Sequence, residues 1–301
     1  MTRTLFSIFE SARLLITGAV VGVTATCLVS GLQAQQPQQN RSQLTNPVFR
    51  VANSVEPKKG VHPLDPALDK ARSGLNHIQA DIADYQCTLV KRERINGVLG
   101  DYEYMHTKVR NRKVVNGKVV VTLGVYMSFL KPEKIRGREV LYVEGANNGK
   151  MIAHEGGGGL AGILPSLWLR PDGPVAMRGN RYPITEVGIE MLVLRLIEKG
   201  ERDKRLGLCK VKFVNKCKVS GRICTMLQVT QIERKKEHDF YVARVFIDDE
   251  LNIPVRYAAY DWPKKTGTKP ELIEEYTYMD LKVNPGFKAV DFDHENDKYN
   301  F

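Results

Sequence analysis

The chain has 301 residues, of which 43% are hydrophobic and 26% are charged, and its formal net charge is +11 at pH 7. This composition is ordinary for a globular protein and excludes a chain that is disordered along its whole length. The excess of positive charge favours anionic partners, such as nucleic acid, lipid headgroups or polymers of the cell envelope.

The N-terminus has the features of an export signal. Arg3 and Arg13 precede an apolar run at residues 14–32, so we predict a signal peptide over residues 1–34 that is cleaved after Ala34. The alternative is an uncleaved membrane anchor, because the run is long enough to span a bilayer. In both cases we expect an exported protein of the periplasm or cell envelope, with no nucleic-acid partner.

Order is expected to begin near residue 64. Residues 35–63 are rich in Gln, Asn and Pro and have no apolar periodicity, which predicts a flexible leader. Asp65 then provides an N-cap, Pro66 fits the first helical turn, and apolar residues follow at helical spacing. These signals predict the first of two helices and the start of a single domain over residues 64–301.

After this helix the apolar residues alternate, which is typical of strands. Two dipeptides, Asn96-Gly97 and Asn116-Gly117, lie between alternating or β-branched runs. An Asn-Gly pair in this setting is the strongest short-range signal for a hairpin. We therefore predict five or six consecutive antiparallel strands in this half of the chain.

A second, largely buried helix is predicted over residues 185–199, with Gly200 as its stop. About five further strands follow it. The whole pattern predicts a mainly β (α+β) fold: a single curved antiparallel sheet, or half-barrel, of about ten strands with two main helices packed in or across it.

A long irregular stretch at residues 156–183 separates the two sets of strands and combines glycine with apolar side chains. Loops of this length are uncommon without a role. Aromatic residues on the strands before it would line one face of the sheet, either as ordinary core or as the wall of a cavity for an acyl chain. The hypothetical apolar contacts of such a ligand are Tyr126, Phe129, Tyr142, Ile163, Leu164 and Trp168.

Cations are concentrated on the same strands. The segment YMSFLKPEKIRGREVLYVEG predicts a strand, a Lys-Pro turn and a second strand that together form a basic rim. Such a rim could hold phosphate or carboxylate headgroups, or it could be the solvated edge of a sheet. The hypothetical headgroup contacts are Lys131, Lys134, Arg136 and Arg138.

The cysteines permit a disulfide, because export places them in an oxidising compartment. A two-residue turn at Ser220-Gly221 would place Cys217 opposite Cys224, within the separation that a disulfide needs. This pair is the tentative disulfide among three connectivities. The sequence has no C-x-x-C and no His beside these cysteines, so we predict no metal site and no cofactor.

No motif in the chain names a reaction. It lacks the fingerprints of serine hydrolases, zinc proteases, P-loop proteins and dinucleotide-binding proteins. The one candidate acid/base pair is His154-Glu155, at a predicted strand end, and a surface His beside a surface Glu is the alternative interpretation. We therefore predict no catalytic residues and a protein that is not an enzyme.

Four segments of the chain stand out: DYQCTLVKRERINGVL, YMSFLKPEKIRGREVLYVEGANNGKMIAHEGG, MRGNRYPITEVGIE and RVFIDDELNIPVRYAAYDWP. Together they resemble an exported bacterial family catalogued as domain of unknown function 1571. The resemblance covers most of the chain after residue 64, and it implies no established activity and no functional residues.

A more distant resemblance rests on the motif F-x-K-P-x-K-I-R, formed here by Phe129, Lys131, Pro132, Lys134, Ile135 and Arg136. The predicted elements follow in the order of a helix, a long meander of strands, a hydrophobic loop and late hairpins. This order and the motif together resemble the periplasmic lipoprotein carriers and related lipoprotein-sorting proteins. The resemblance implies an incomplete antiparallel barrel with a helical lid around an apolar cavity that takes lipid anchors.

Three functional hypotheses follow. Export, the amphipathic strands and the apolar loop favour a non-enzymatic binding protein that holds a lipid or a lipidated protein, with an anionic membrane surface as a further partner. The first alternative is a structural or interaction module that binds an acidic envelope component through the basic rim. The second alternative is an envelope hydrolase that uses His154 and Glu155.

Overall fold

The computed structural model describes residues 53–55, 62–156 and 164–301, and of residues 53–55 it describes the backbone. The predicted signal peptide, most of the predicted leader and Ile163 lie outside the described residues. In the described part of the chain, neither helix combines the length and hydropathy that crossing a membrane requires.

The described residues form two α-helices, α1 (Asp65–Asp81) and α2 (Ile189–Leu206). They also form fifteen strands: β1 (Asn53–Val55), β2 (Asp84–Ile95), β3 (Val98–Leu99), β4 (Glu103–Arg110), β5 (Lys113–Val115), β6 (Lys118–Val121), β7 (Gly124–Lys131), β8 (Glu139–Val143), β9 (Met151–His154), β10 (Leu167–Leu169), β11 (Cys209–Val219), β12 (Arg222–Gln231), β13 (Val242–Asp248), β14 (Pro254–Tyr260) and β15 (Leu272–Val283).

Thirteen of these strands form one antiparallel sheet. Twelve follow the order β1-β11-β12-β13-β14-β15-β2-β4-β7-β8-β9-β10, and β3 pairs with β2 beside this path. The sheet is curved but not closed, and the predicted fold class is confirmed. The sheet has more strands than the ten or so that were predicted. Strands β1, β3 and β10 have three residues or fewer, which is too short for an alternation of apolar residues to be recognised in the sequence.

Both helices pack on one face of the sheet, which we call the inner face. Side chains alternate between the two faces of a strand, and in β7 Val125, Met127 and Phe129 belong to the core under the helices. Ile78 of α1 and Val193 of α2 lie in the same core. The apolar strand positions and the helix stripes therefore bury each other.

The opposite face of β7–β9 is covered by the C-terminal segment. Tyr126 packs there with Leu141, Ile152 and Phe292, and its ring stacks on that of Tyr299 with centroids 4.0 Å apart. The main-chain N–H and the side-chain amide of Asn300 donate to the carboxylate of Glu139 at 3.1 and 2.7 Å. The C-terminal residues thus form, with strands β7–β9, a second hydrophobic core on the face opposite the helices.

The predicted hairpin turns have the expected backbone. Asn96 and Gly97 have φ values of 49° and 81°, and Asn116 and Gly117 have values of 50° and 74°. Positive φ at both central residues defines the type I′ turn, which matches the twist of paired strands. The local signals therefore placed both turns correctly.

The third turn sets the register of the cysteines. Val219 pairs with Arg222, and Cys217 pairs with Cys224 across β11 and β12, as the turn at Ser220 predicts. Both thiols are unbridged and buried in this structure. The disulfide itself therefore stays a prediction.

The second helix differs from its predicted bounds, and Gly200 does not end it. A short 3-10 turn at Ile184–Glu186 occupies the predicted start, and α2 continues to Leu206. A Cβ atom on Gly200 would lie 2.8 Å from Cδ2 of Leu68 in α1. The glycine is explained by the close approach of the two helices rather than by a stop.

We expect Ile78→Ala to lower the free energy of unfolding by about 2–5 kcal/mol, because it leaves a cavity where α1 meets the sheet. Ile78 is 1% exposed. Urea titration of the variant checks this value. Ile223→Ala is the matched control, since Ile223 is 54% exposed and its loss should cost less than about 1 kcal/mol. Equal losses in the two variants would contradict the packing of α1.

Candidate functional site

A cavity of about 200 Å³ lies between the inner face of the sheet, helix α2 and the irregular segment of residues 170–188. One water molecule needs roughly 10–15 Å³ on this measure, so the space has room for many waters or for part of an organic ligand.

The floor of the cavity consists of side chains from the strands of one half of the sheet. They occupy alternate positions on their strands and so point to the same face. All are apolar, and most are buried. These floor residues are Leu89, Met105, Met127, Phe129, Val140, Met151, Ala153 and Leu169.

The roof comes from helix α2 and from residues 170–188. The helix contributes an apolar stripe spaced three to four residues apart, as one face of a helix requires. The segment before it contributes Pro, Val, Ala and Ile side chains. The apolar roof residues are Pro171, Val175, Ala176, Ile184, Val187, Met191, Leu192 and Leu196.

One end of the cavity is polar and buried. Glu93 of β2 and Glu274 of β15 are directly opposite each other in the sheet register, and their side chains are 5% and 3% exposed. Like charges this close repel each other, so the pair needs donors around it. The hydroxyl of Tyr276 donates to Glu93, and that of Tyr182 donates to Glu274 at 3.2 Å.

Arg181 joins both carboxylates to the roof. Its Nε donates to Glu274 at 2.8 Å, and its main-chain N–H donates to Glu93 at 3.1 Å. Lys91 is 3.6 Å from Glu93 and also donates to Asn180, the residue before Arg181. The roof segment is therefore held against the sheet by partly buried, charge-assisted hydrogen bonds.

Burial raises the pKa of Glu274, and the nearby charge of Glu93 adds to this rise. Lys199 and Arg181 act in the opposite direction without cancelling it. Burial also raises the pKa of Tyr276 well above its ordinary value. The tyrosine hydroxyl thus keeps its proton and remains a donor to the carboxylates at neutral pH.

Several charged lining residues are more exposed than the two glutamates and define the side of the cavity that we call the open side. Arg138 donates two hydrogen bonds to Glu155 at 3.0 and 2.7 Å, and Arg195 pairs with Glu186 at 2.8 Å. Arg178 is exposed and has no ion pair within residues 62–156 and 164–301. An exposed arginine beside an apolar cavity is suited to a phosphate or carboxylate.

A second, smaller cavity of about 80 Å³ lies between the two helices and strands β12 and β13. It is mainly apolar, with side chains such as Leu68, Val193 and Phe240 in its wall. Leu196 and Lys199 line both cavities. Helix α2 therefore forms a wall of each.

The structure distributes the six predicted apolar contacts over different places. Phe129 lines the cavity, whereas Tyr142 is buried in the adjoining core without lining it. Tyr126 was expected on the same face but lies on the opposite one, beneath Tyr299. The alternation of β7 requires this, because Phe129 is three residues away.

The predicted loop contacts do not reach the cavity where they are described. Leu164 is 53% exposed, and Trp168 is 40% exposed with its ring in a T-shaped contact with that of His294. Leu169, the neighbour of Trp168, lines the cavity in its place. The sequence showed an apolar loop but not which face of the short strand β10 points inward.

One of the four predicted headgroup cations, Arg138, lines the cavity. The other three lie elsewhere. Lys131 lies over the ring of Tyr104, 5.9 Å from its centroid, Lys134 pairs with Asp101 at 3.0 Å, and Arg136 lies 3.5 Å from Glu133. A 3-10 turn at Glu133–Ile135 points successive side chains in different directions, so they do not share one rim.

Sequence reasoning missed the buried polar end and Arg178. The available signal was the position of Glu93, which has the strand parity of Leu89 and so points inward. Its partner Glu274 is 181 residues later in the chain, and no local pattern joins the two. Arg178 lies in an irregular segment, where periodicity gives no direction.

The predicted acid/base pair is divided by the structure. Glu155 lines the cavity and binds Arg138, whereas His154 does not line it and has Ser166 Oγ at 3.4 Å from its Nδ1. Elsewhere in the described ranges, no three His, Cys, Asp or Glu side chains are close enough together to hold a metal ion.

A family model described as "Protein of unknown function (DUF1571)" matches residues 82–301, which include every described strand except β1 and the whole of α2. The chain belongs to this family. A comparison with the curated proteins gave no match. Membership therefore defines the chain's relatives without assigning an activity.

Solved structures match over most of the chain at low identity. A DUF1329 family protein from Desulfovibrio piger is 13% identical, with 78% of this chain and 98% of that chain covered and a TM-score of 0.39. A protein described as an outer membrane lipoprotein-sorting protein domain, from Vibrio parahaemolyticus, is 14% identical, with 75% and 95% covered and a TM-score of 0.35. A LolA superfamily protein from Nitrosomonas europaea is 10% identical, with 74% and 97% covered and a TM-score of 0.30.

Gly156→Ala should destabilise the open side of the cavity. An added Cβ would lie 1.9 Å from the backbone N of Arg138 and 2.4 Å from the backbone O of Arg136. The backbone must move to relieve such overlaps, at a cost of about 1–3 kcal/mol. Thermal unfolding measures the loss. Gly100→Ala is the control, because its Cβ would lie at an ordinary 3.4 Å from the carbonyl of Glu93, and an equally unstable control would contradict the prediction.

The buried carboxyl pair should give the stability a distinct pH dependence. A carboxyl whose pKa is higher in the folded than in the unfolded protein contributes stability below its unfolded pKa, and this contribution is lost as the pH rises through the folded pKa. The ordinary pKa of a glutamic acid side chain is 4.5. As the pH rises above this value, the wild-type protein should therefore lose stability relative to Glu274→Gln. Urea unfolding of both proteins across this range gives the difference.

The control for this measurement is Glu271→Gln. A hydrogen bond from Lys264 lowers the pKa of Glu271, so the difference from wild type should be small and have the opposite sign. If the free energies of unfolding of Glu274→Gln and wild type changed in parallel with pH over the whole range, the raised pKa of Glu274 would be contradicted.

Proposed function

We propose that the protein is an exported, non-enzymatic binding protein that holds the apolar chain of a lipid, or of a lipidated protein, in the cavity beneath α2. The observation that carries the proposal is a concave space whose floor and roof are apolar. Ligand sites are commonly of this kind, with few polar groups that set the orientation of the ligand. The proposed location outside the cytoplasm rests on the export signal predicted over residues 1–34.

The distribution of charge supports one orientation of the ligand. Glu93 and Glu274 make the buried end acidic, and their oxygens already accept hydrogen bonds from Tyr276, Tyr182 and Arg181. An anionic headgroup would be repelled there. The chain therefore enters first and the headgroup stays at the open side.

Arg138 and Arg178 are the proposed headgroup contacts. Both line the open side of the cavity, and guanidinium groups bind phosphate or carboxylate through two parallel hydrogen bonds. Arg138 already donates two hydrogen bonds to one carboxylate oxygen of Glu155, so a bound anion would compete with that carboxylate. Arg178 has no such competitor among the described residues.

The contacts favour binding over the two alternatives. The predicted basic rim is dispersed, because Lys134 and Arg136 have carboxylate neighbours of their own. The hydrolase hypothesis requires His154 and Glu155 to act together, and only Glu155 lines the cavity. Neither alternative has a geometric feature as extensive as the apolar cavity.

Ala153→Phe should fill the cavity and abolish binding of an acyl chain. Ala153 lies in the floor, so a phenyl ring there would occupy the space of the ligand. The measurement is titration with dansyl-labelled undecanoic acid, followed by fluorescence, and we expect affinity to fall by about tenfold or more, since each buried CH₂ contributes about 0.8 kcal/mol.

Val98→Phe is the matched control, because Val98 is 71% exposed and does not line the cavity. It should bind the probe like wild type. Organic extraction of the protein purified from its native envelope, followed by mass spectrometry, identifies the natural ligand. Equal binding by both variants, together with an extract that contains no lipid, would contradict the proposal.

A further inference from the structure

A short hairpin, β5–β6, extends beyond the main sheet. Strands β5 and β6 pair only with each other among the described strands, and the Asn116-Gly117 turn joins them. The hairpin connects the end of β4 at Arg110 with the start of β7 at Gly124. A two-stranded hairpin that is solvated on both sides is marginally stable in water. The side chains of this hairpin therefore indicate what kind of surface it contacts.

The hairpin exposes four valines to solvent. Val114, Val115, Val119 and Val120 are 55%, 44%, 50% and 57% exposed. Val114 and Val119 are Cα partners in the ladder and share one face, whereas Val115 is the partner of Lys118 on the other face. Val120 is the unpaired residue at a register shift between these strands. Exposed valines are therefore present on both faces of the hairpin, and one of the faces also carries lysine.

The charge of the hairpin has a single sign. Residues 110–124 contain Arg110, Arg112, Lys113 and Lys118 and no Asp or Glu. Arg112 pairs with Glu144 of the main sheet, and Arg110 donates to the carbonyl of Thr122. Lys113 and Lys118 are exposed and have no ion pair within the described part of the chain.

We propose that the β5–β6 hairpin inserts its valines into the interface of an anionic lipid bilayer, with Lys113 and Lys118 against the headgroups. A protein partner that covered one face of the hairpin would leave at least one exposed valine of the other face in water, because Val114 and Val119 lie on one face and Val115 on the other. A lipid interface surrounds an inserted tip and solvates apolar side chains on both faces. Lysines beside the tip match an anionic surface.

This inference is independent of the ligand cavity. The cavity residues of β7, Met127 and Phe129, are separated from the hairpin by the first residues of that strand. No hairpin residue lines either cavity. Failure of lipid loading would leave the hairpin proposal intact, and failure of vesicle binding would leave the cavity proposal intact.

The first test is co-sedimentation of the full chain with vesicles of phosphatidylglycerol and phosphatidylethanolamine, compared with vesicles of phosphatidylcholine. We expect binding to the anionic vesicles that weakens with added salt. The double variants Val119→Ser/Val120→Ser and Lys113→Gln/Lys118→Gln should each lower this binding by about tenfold or more. These side chains are exposed, so the fold should be retained, which circular dichroism checks.

Matched controls come from other exposed positions of the same residue types. Val98→Ser removes a valine that is 71% exposed on β3, and Lys210→Gln/Lys212→Gln removes two exposed lysines from β11. Both should bind like wild type. Equal losses in the control and hairpin variants would mean attraction by total charge alone and would overturn the proposal.

A second measurement observes the hairpin itself, so that binding by any other segment does not confuse the result. The C27S substitution leaves only cysteines that are buried, so an introduced cysteine can be labelled selectively. The environment-sensitive dye NBD is attached at Val119→Cys or, as a control, at Val98→Cys. Anionic vesicles should shift the emission to the blue at position 119 only. An unchanged emission at position 119 with vesicles bound, or hairpin-dependent self-association of the chain without vesicle binding, would refute insertion.

Discussion

The constraint on which the structure depends is the burial of one wide apolar face. An antiparallel sheet that curves without closing leaves its concave face exposed unless other elements cover it. Two helices and the segment of residues 170–188 provide this cover, and α1 fits closely against α2 because Gly200 has no side chain. The cover is incomplete above Met127 and Phe129, and the cavity is the space that remains.

The buried polar end explains how the irregular part of the cover is held. Glu93 and Glu274 are costly to bury together, since each carboxylate loses hydration and repels the other. Their hydrogen bonds with Arg181, Tyr182 and Tyr276 offset that cost and fix a segment that lacks regular secondary structure. These charged groups join the roof to two central strands, and their acidic character would disfavour an anionic group at the inner end.

Local patterns predicted much of the fold and little of the site. Asn96-Gly97, Asn116-Gly117 and the turn before Cys224 could be placed from sequence because hairpin geometry depends on adjacent residues. Tyr126 and Trp168 were misplaced because what covers each side of a strand depends on distant segments, here the C-terminal residues and His294. Periodicity shows that a strand has two faces, but it does not show which of them meets the helices.

The floor and roof of the cavity contain four methionines: Met105, Met127, Met151 and Met191. Unbranched thioethers adapt their rotamers to neighbours of different shape, so such a cavity suits chains that vary in length or branching. The same sulfur atoms are open to oxidation, and a sulfoxide is polar and chiral. Oxidation of these methionines would turn part of the apolar wall polar, and it would weaken the binding of the apolar ligand proposed above.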